Sequence, residues 1–235
     1  ASGAEVTFIC VGNDDDVRSV VLGDEGILAG IEPKSLIVDH TTASAELARE
    51  LNELCSIRNV GFLDAPISGG QAGAENGALT VMCGGEQRWF DLAKPFISAY
   101  SQACNLIGPT GSGQLTKMVN QICIAGLLQG LSEALQFGKM SGLNLDLVLE
   151  TISKGAAGSW QMTNRGSTMI RDEFDFGFAV DWMRKDLGIV MEEAARLETS
   201  VEVTRLVDSY YQEIQEKGGG RWDTSSLITR LAGNS

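Results

Sequence analysis

The pattern of apolar residues changes once along this chain, and that change constrains the architecture more than any single motif. Up to residue 108, short apolar runs alternate with helical patterns; after Pro109 the apolar residues fall only at helical spacing. Residues 6–11, 36–39, 60–64, 79–83 and 105–107 read as strands. Between them Asp14–Leu22, a segment from a Thr41 or Thr42 cap to about Cys55, and residues 86–99 read as helices. Such alternation predicts a mainly parallel sheet with helices on its faces, and sheets of this kind bind ligands at the carboxyl ends of their strands. Those ends carry Gly12, Asn13 and Asp14, then residues 39–42, then residues 64–70.

Beyond Pro109 a helix is expected from Gly113 to about Met140, about 28 residues or roughly 42 Å long. Its apolar face is wide, and Gly126 and Gly130 at a spacing of four permit close helix contact. Further helices are expected over about 144–154, 159–171, 180–198 and 201–217. The expected organisation is therefore α/β: a parallel-sheet domain over residues 1–108 and an all-α domain over residues 109–235, joined by the long helix.

Composition narrows the function. With 18 basic against 31 acidic residues, the net charge of -13 repels nucleic acid and anionic membrane surfaces. No apolar stretch approaches 18 residues, and the first residues form neither a basic leader nor a signal core, which predicts a soluble, cytoplasmic protein. The five cysteines, Cys10, Cys55, Cys83, Cys104 and Cys123, show no CxxC pairing and read as buried thiols in a reducing compartment. His40 is the one histidine, so a His-based metal site is excluded and no metal is expected; at the end of a strand-like run it reads as structural.

Two segments carry chemistry. In GPTGSGQLTKMVNQ, residues 108–121, a glycine-rich turn enters a helix on which Lys117, Asn120 and Gln121 share one face, placing a proton donor beside two amides. A phosphate loop needs Gly-Lys-Ser/Thr in succession, whereas Gln114, Leu115 and Thr116 separate Gly113 from Lys117. The plainer reading makes Lys117 a solvated surface residue. In DAPISGG, residues 64–70, a strand ends in a proline and glycine turn. Glycine lets backbone N–H groups approach an anion and Ser68 adds a hydroxyl, so the loop is able to hold a carboxylate; an ordinary Pro/Gly turn is the plainer reading.

DAPISGG, then GxxGxGxxxKxxNQ from Gly108, then Lys185-Asp186-Leu187 resembles the ordered signature of the β-hydroxyacid dehydrogenases, the family of 3-hydroxyisobutyrate dehydrogenase and tartronate semialdehyde reductase. The likeness extends to the closing GRWDTSS, similar to the family's G-x-x-D-x-S. It implies a Rossmann-like domain followed by a helical domain like the C-terminal part of 6-phosphogluconate dehydrogenase. It also implies NAD or NADP as cofactor, a small 3-hydroxy or 2-hydroxy acid as substrate, and a homodimer or homotetramer.

By the same resemblance Lys117 matches the catalytic lysine, which exchanges a proton with the substrate oxygen as hydride moves. Ser68, Gly69 and Gly70 match the loop that grips the substrate carboxylate, and Asn120 or Gln121 orients the substrate. Trp160 falls where the family lines its substrate pocket, with a buried core tryptophan as the alternative. Val11 and Gly12 stand in place of the family's Leu-Pro and, with Asn13, are cofactor candidates. Thr42 matches a residue near the nicotinamide ribose, and Phe178 and Lys185 match positions that close over the nicotinamide. A lysine serves as general acid near neutral pH when desolvation and neighbouring positive charge disfavour its ammonium form.

The family's opening strand, GxGxxG turn, helix and second strand have no counterpart here, so the Rossmann-like domain is expected to be incomplete by on the order of 55 to 60 residues. A fragment with impaired cofactor binding is the expectation, with an uncovered sheet edge that is loose, shielded by a partner or rearranged. The alternative is a non-catalytic assembly or acidic-ligand-binding module.

Overall fold

The computed structural model describes residues 1–231. The chain divides into two units, Ala1–Val119 and residues 120 onward, and the division falls inside one long helix.

The first unit runs β1 (Val6–Ile9), α1 (Asp14–Leu22), α2 (Ile27–Gly30), β2 (Leu36–Asp39), α3 (Ala45–Ile57), β3 (Gly61–Asp64), β4 (Ile67–Ser68), α4 (Gly70–Glu75), β5 (Leu79–Gly84), α5 (Gln87–Ile97) and β6 (Ser101–Gly108), then enters α6 (Ser112–Met140). The strand order is β1-β2-β3-β5-β4, with β6 on β5. Pairing is parallel through β1, β2 and β3 and again between β5 and β6. Between these blocks β5 meets β3 antiparallel at Asp64 and Gly84, and β4 folds back antiparallel on β5. The sheet is thus parallel with a reversal at the DAPISGG turn.

Alternate strand residues face opposite layers. Ile37 and Phe62 pack with Val17, Val21, Leu47 and Leu51 under α1 and α3. Leu36, Val38 and Leu63 pack with Phe90, Ala93 and Ile97 under α5. With both faces covered, these strands read as continuous apolar runs rather than alternating ones.

The helix starts follow capping chemistry. Asn13 accepts from Asp16 N–H at the head of α1, and Ser44 accepts from Leu47 N–H at the head of α3. Neither Thr41 nor Thr42 caps α3: the Thr41 hydroxyl instead accepts from Val11 N–H at 3.0 Å. The segments α2, β4 and α4 are too short and too rich in small residues to show a period. Strand β6 extends well ahead of 105–107 because pairing with β5 recruits its polar start.

Two cysteines correct the sequence reading. Cys55 and Cys83 are buried, but Cys10 and Cys123 are exposed. Cys83 and Cys104 touch across β5 and β6, sulfur to sulfur 3.7 Å.

The second unit is helical: the rest of α6, α7 (Leu145–Ile152), α8 (Trp160–Ile170), α9 (Val180–Arg196), α10 (Glu202–Glu216) and a 3-10 turn at Thr224–Arg230. Val180, Met183 and Leu187 of α9 pack with Val207, Tyr211 and Ile214 of α10 and with Leu128 of α6. A second cluster joins Leu131 and Leu135 to Leu149, Met162 and Met169. Among the described residues no helix is long and apolar enough to cross a membrane.

Candidate active site

Helix α6 starts where three strand ends meet, and Asp64 supplies its cap. The buried carboxylate accepts from Gly111 N–H at 2.7 Å and from Gln114 N–H at 2.9 Å. Burial pushes this carboxyl up to about 6, against the pull of the same N–H donors. The glycines allow the approach: a Cβ on Gly113 would lie 2.3 Å from Met82 O and 2.5 Å from Asp64 O, and Gly111 sits at φ +94°. The glycine-rich turn therefore seats a helix against a sheet.

One turn on, buried Lys117 donates from Nζ to Ile67 O at 2.8 Å. Ile67 opens the short strand that leads into Ser68, Gly69 and Gly70. Both glycines take positive φ, +132° and +61°, a backbone that L side chains rarely adopt. The loop is held from other directions too. Ala65 N–H donates to Asp39 O at 2.7 Å, and His40 Nδ1 lies 2.6 Å from Ala65 O with Nε2 2.7 Å from the Tyr100 hydroxyl. Burial lowers the His40 pKa, so the ring is neutral, donating from Nδ1 to the carbonyl.

The ends of β1 and β2 form a third group. Thr41 links them, accepting from Val11 N–H and donating its own N–H to Asp39 Oδ1 at 2.9 Å. Burial pushes Asp39 up to about 6. Asp14 of α1 accepts from Ser44 N–H and Oγ–H, tying the heads of α1 and α3 together. Thr42, half-buried, lies between Thr41 and Ala43, both of which bond to Gln114. Gly12 N–H bonds to Asp16 and the Asn13 side chain is engaged as the α1 cap. With Asp14, Asp15 and Asp16 in its first turn, this helix head repels a pyrophosphate. Among the described residues no group of three His, Cys, Asp or Glu side chains is placed to hold a metal.

In the second unit a polar chain connects four residues. Asn120 Nδ2 donates to Gln121 Oε1 at 2.8 Å, Gln121 Nε2 donates to Asp186 Oδ2 at 2.7 Å, and Lys185 Nζ pairs with Asp186 Oδ1 at 3.0 Å. Gln121 and Asp186 are buried. Phe178 N–H donates to Asp223 Oδ2 at 3.0 Å, and Asp223 also pairs with Arg165 at 3.1 Å. The Arg165 guanidinium lies 4.9 Å from the Trp160 ring centroid and 4.9 Å from that of Phe176. Trp160 is 52% exposed, so it is not a core residue.

Two family models cover nearly the whole chain. The NAD binding domain of 6-phosphogluconate dehydrogenase matches residues 1–108, and the NAD-binding domain of NADP-dependent 3-hydroxyisobutyrate dehydrogenase matches residues 111–231. The chain belongs to the β-hydroxyacid dehydrogenase family. This dehydrogenase is 60% identical over 231 residues to an uncharacterized oxidoreductase of Shewanella frigidimarina, spanning 98% of the chain and 79% of the relative. It is 31% identical to the 2-hydroxy-3-oxopropionate reductase of Escherichia coli, over 97% of the chain and 78% of that enzyme. The crystal structure of 3-hydroxyisobutyrate dehydrogenase from Salmonella typhimurium superposes with a TM-score of 0.87 at 28% identity, covering 97% of this chain and 80% of that one. The dehydrogenase is accordingly an NAD(P)-dependent enzyme.

Sequence reading singled out Lys117 and the 68–70 loop but gave no role to Asp64, Gln114 or Asp186. Each is a polar residue inside a motif, and each is buried against backbone or side-chain partners of another motif. For Asp64 and Gln114 a polar side chain beside glycines near the join of strand and helix is the signal that was available; Asp186 lies inside α9 and carries no such mark.

Proposed function

We propose that this chain interconverts a small 3-hydroxy or 2-hydroxy acid and its semialdehyde or keto acid, with Lys117 as general acid and base. The observation that carries the reading is the bond from Lys117 Nζ to Ile67 O, which ties the lysine to the loop suited to a substrate carboxylate. A lysine amine retains two N–H bonds after releasing a proton, so the Ile67 contact survives the change of charge and Nζ stays in place through a turnover. In the reductive direction Nζ gives a proton to the substrate carbonyl oxygen; in the oxidative direction it takes the hydroxyl proton. The nicotinamide, when bound, supplies or accepts the hydride.

Ser68 and the backbone N–H groups at Gly69 and Gly70 hold the substrate carboxylate. Asn120, rather than Gln121, orients the substrate: the Gln121 amide is buried and engaged at both ends, by Asn120 and by Asp186. Val11, Gly12 and Asn13 contact the dinucleotide, Thr42 lies near its nicotinamide ribose, Phe178 and Lys185 serve the nicotinamide, and Trp160 lines the substrate pocket.

The second unit also supports self-association. On α6, Cys123, Leu127, Gly130, Ala134 and Phe137 recur at steps of three and four, and all are exposed. We assign this stripe to a homodimer.

The decisive experiment titrates NADH and NADPH into the protein and assays a panel of small 2- and 3-hydroxy acids. Expected are binding of one dinucleotide and turnover of one member of the panel. Failure of both, with the N-terminal region of a relative supplied, removes the dehydrogenase reading.

A further inference from the structure

We propose that Gln114 is a positioning residue: from the first turn of the helix that carries Lys117 it sets the conformation of the loop at residues 41–43, and with it the placement of Thr42. The inference rests on the reading above in so far as Thr42 serves the cofactor.

The geometry is that of a borrowed peptide group. Gln114 Oε1 accepts from Ala43 N–H at 3.1 Å and Gln114 Nε2 donates to Thr41 O at 2.7 Å. One side-chain amide thus pairs with residues i and i+2 of an irregular loop, as a neighbouring strand would. The side chain is 1% exposed, so water does not replace it. Its own backbone N–H is fixed by Asp64, leaving the head of the amide little freedom.

The rest of the loop is also held by side chains. Thr41 N–H goes to Asp39, Ser44 N–H to Asp14, and the Thr41 hydroxyl takes Val11 N–H. Gln114 is the member of this set that belongs to α6. It lies three residues before Lys117, so the same rigid turn that aims the lysine toward Ile67 also holds the loop beside Thr42. A buried loop whose amide and carbonyl lose their partner pays the desolvation of both, which drives it to rearrange toward water. Two substitutions break the pair at neutral pH: leucine offers neither bond, and an ionised glutamate accepts from Ala43 but repels Thr41 O.

Gln114→Glu gives a test inside one folded protein. A protonated glutamate both donates and accepts, so it restores the pair at acid pH and loses it when ionised. The charged or titratable groups facing this site are Asp64 behind Gln114, Asp39 and Asp14 through Thr41 and Ser44, Arg49 beside Gly111, and Lys117 one turn on. The wild-type chain measured at the same pH values accounts for their titration.

Two readouts are taken for wild type, Gln114→Glu and Gln114→Leu: hydrogen exchange at the Ala43 amide, and the dissociation constants for NADH and NADPH. In Gln114→Leu, Ala43 exchange accelerates about tenfold or more and dinucleotide affinity falls about tenfold, while Leu51 of α3 keeps its protection. In Gln114→Glu both values are near wild type at pH 5.5 and approach those of Gln114→Leu at pH 8. Unchanged Ala43 exchange in both variants overturns the proposal, as does faster exchange with dinucleotide affinity intact. If exchange responds as expected but the wild-type chain binds neither dinucleotide, the cofactor reading of this loop fails while the hold of Gln114 on it stands. A loss of protection across α3 in Gln114→Glu at both pH values overturns the positioning role in favour of a general structural one.

Discussion

Lys117 on α6 donates to Ile67 O, and Asp64, three residues before Ile67, caps the same helix through Gly111 and Gln114. Two motifs well separated in the first unit's sequence are therefore a single object. Asp64 fixes where the helix begins, and Ile67 fixes where the lysine ends. The glycines between them remove the side chains that would keep helix and sheet apart, since the Cβ positions of Gly84 and Gly113 both fall within 3 Å of Asp64 atoms.

Lys117→Ala is expected to lower kcat/KM by about 10²–10⁴-fold, the usual contribution of a positioned general acid or base, with dinucleotide affinity unchanged. Lys117→Arg is expected to be nearly as impaired, because a guanidinium keeps its proton at working pH. Steady-state kinetics and a dinucleotide titration separate the two effects. Wild-type turnover in either variant removes Lys117 from the chemistry.

The pH dependence of stability carries a signature of Asp64. Burial raises both Asp64 and Asp39 from 3.8 to about 6, so between those values the folded chain holds protons that the unfolded chain has released. The stability each contributes is full below about pH 3.8 and is lost as the pH rises through 6, roughly 3 kcal/mol for each carboxyl. His40 acts in the opposite direction, because burial lowers it and protonation of the unfolded chain below 6.5 destabilises the fold. Comparing wild type with Asp64→Asn cancels the His40 contribution and the main, burial-driven part of the Asp39 contribution, to which the Asp64 charge adds a lesser part. Urea unfolding at pH 4.5, 6 and 7.5 should show the advantage of wild type over the variant shrinking as pH rises. A constant or growing advantage would contradict the raised Asp64.

Much of this organisation was legible in the sequence because burial on both faces writes long apolar runs, and caps such as Asn13 and Ser159 sit where helical periodicity starts. The lysine and the 68–70 loop each had a plainer reading alone, and stood out because with Lys185-Asp186-Leu187 they form an ordered set that resembles the family signature. What stayed hidden was pairing at a distance. Gln114 looked like a spacer because its partners, Thr41 and Ala43, lie more than 70 residues away. The antiparallel reversal at Asp64 and Gly84 has no period at all, being one residue pair long. Cys10 and Cys123 misled because local apolar neighbours do not reveal which helix or strand face turns outward.

Glycine roles in α6 divide by position along the helix. Gly113→Ala forces a Cβ into the carbonyls of Met82 and Asp64 and is expected to cost about 3 kcal/mol as an overpacking change against rigid backbone. Gly126 has open space at its Cβ position, so Gly126→Ala is expected to stabilise the chain by about 0.5–1 kcal/mol through helix propensity. Denaturant midpoints of the two variants should move in opposite directions. Equal shifts would mean that the glycines at the head of α6 are not there for close approach.

The exposed stripe on α6 gives the last prediction. Phe137 is 73% exposed and Leu127 44%, and both lie on the face that also carries Cys123, Gly130 and Ala134. Apolar residues at steps of three and four along one helix face suit a second helix packed against it, and burying Phe137 and Leu127 in a symmetric interface removes four large side chains from water. Sedimentation equilibrium of the wild type should give a dimer, and Phe137→Glu, which places a charge on the stripe without touching the helix core, should give a monomer with the same helical content. A wild-type monomer at high concentration, or a variant that remains dimeric, would move the interface away from α6.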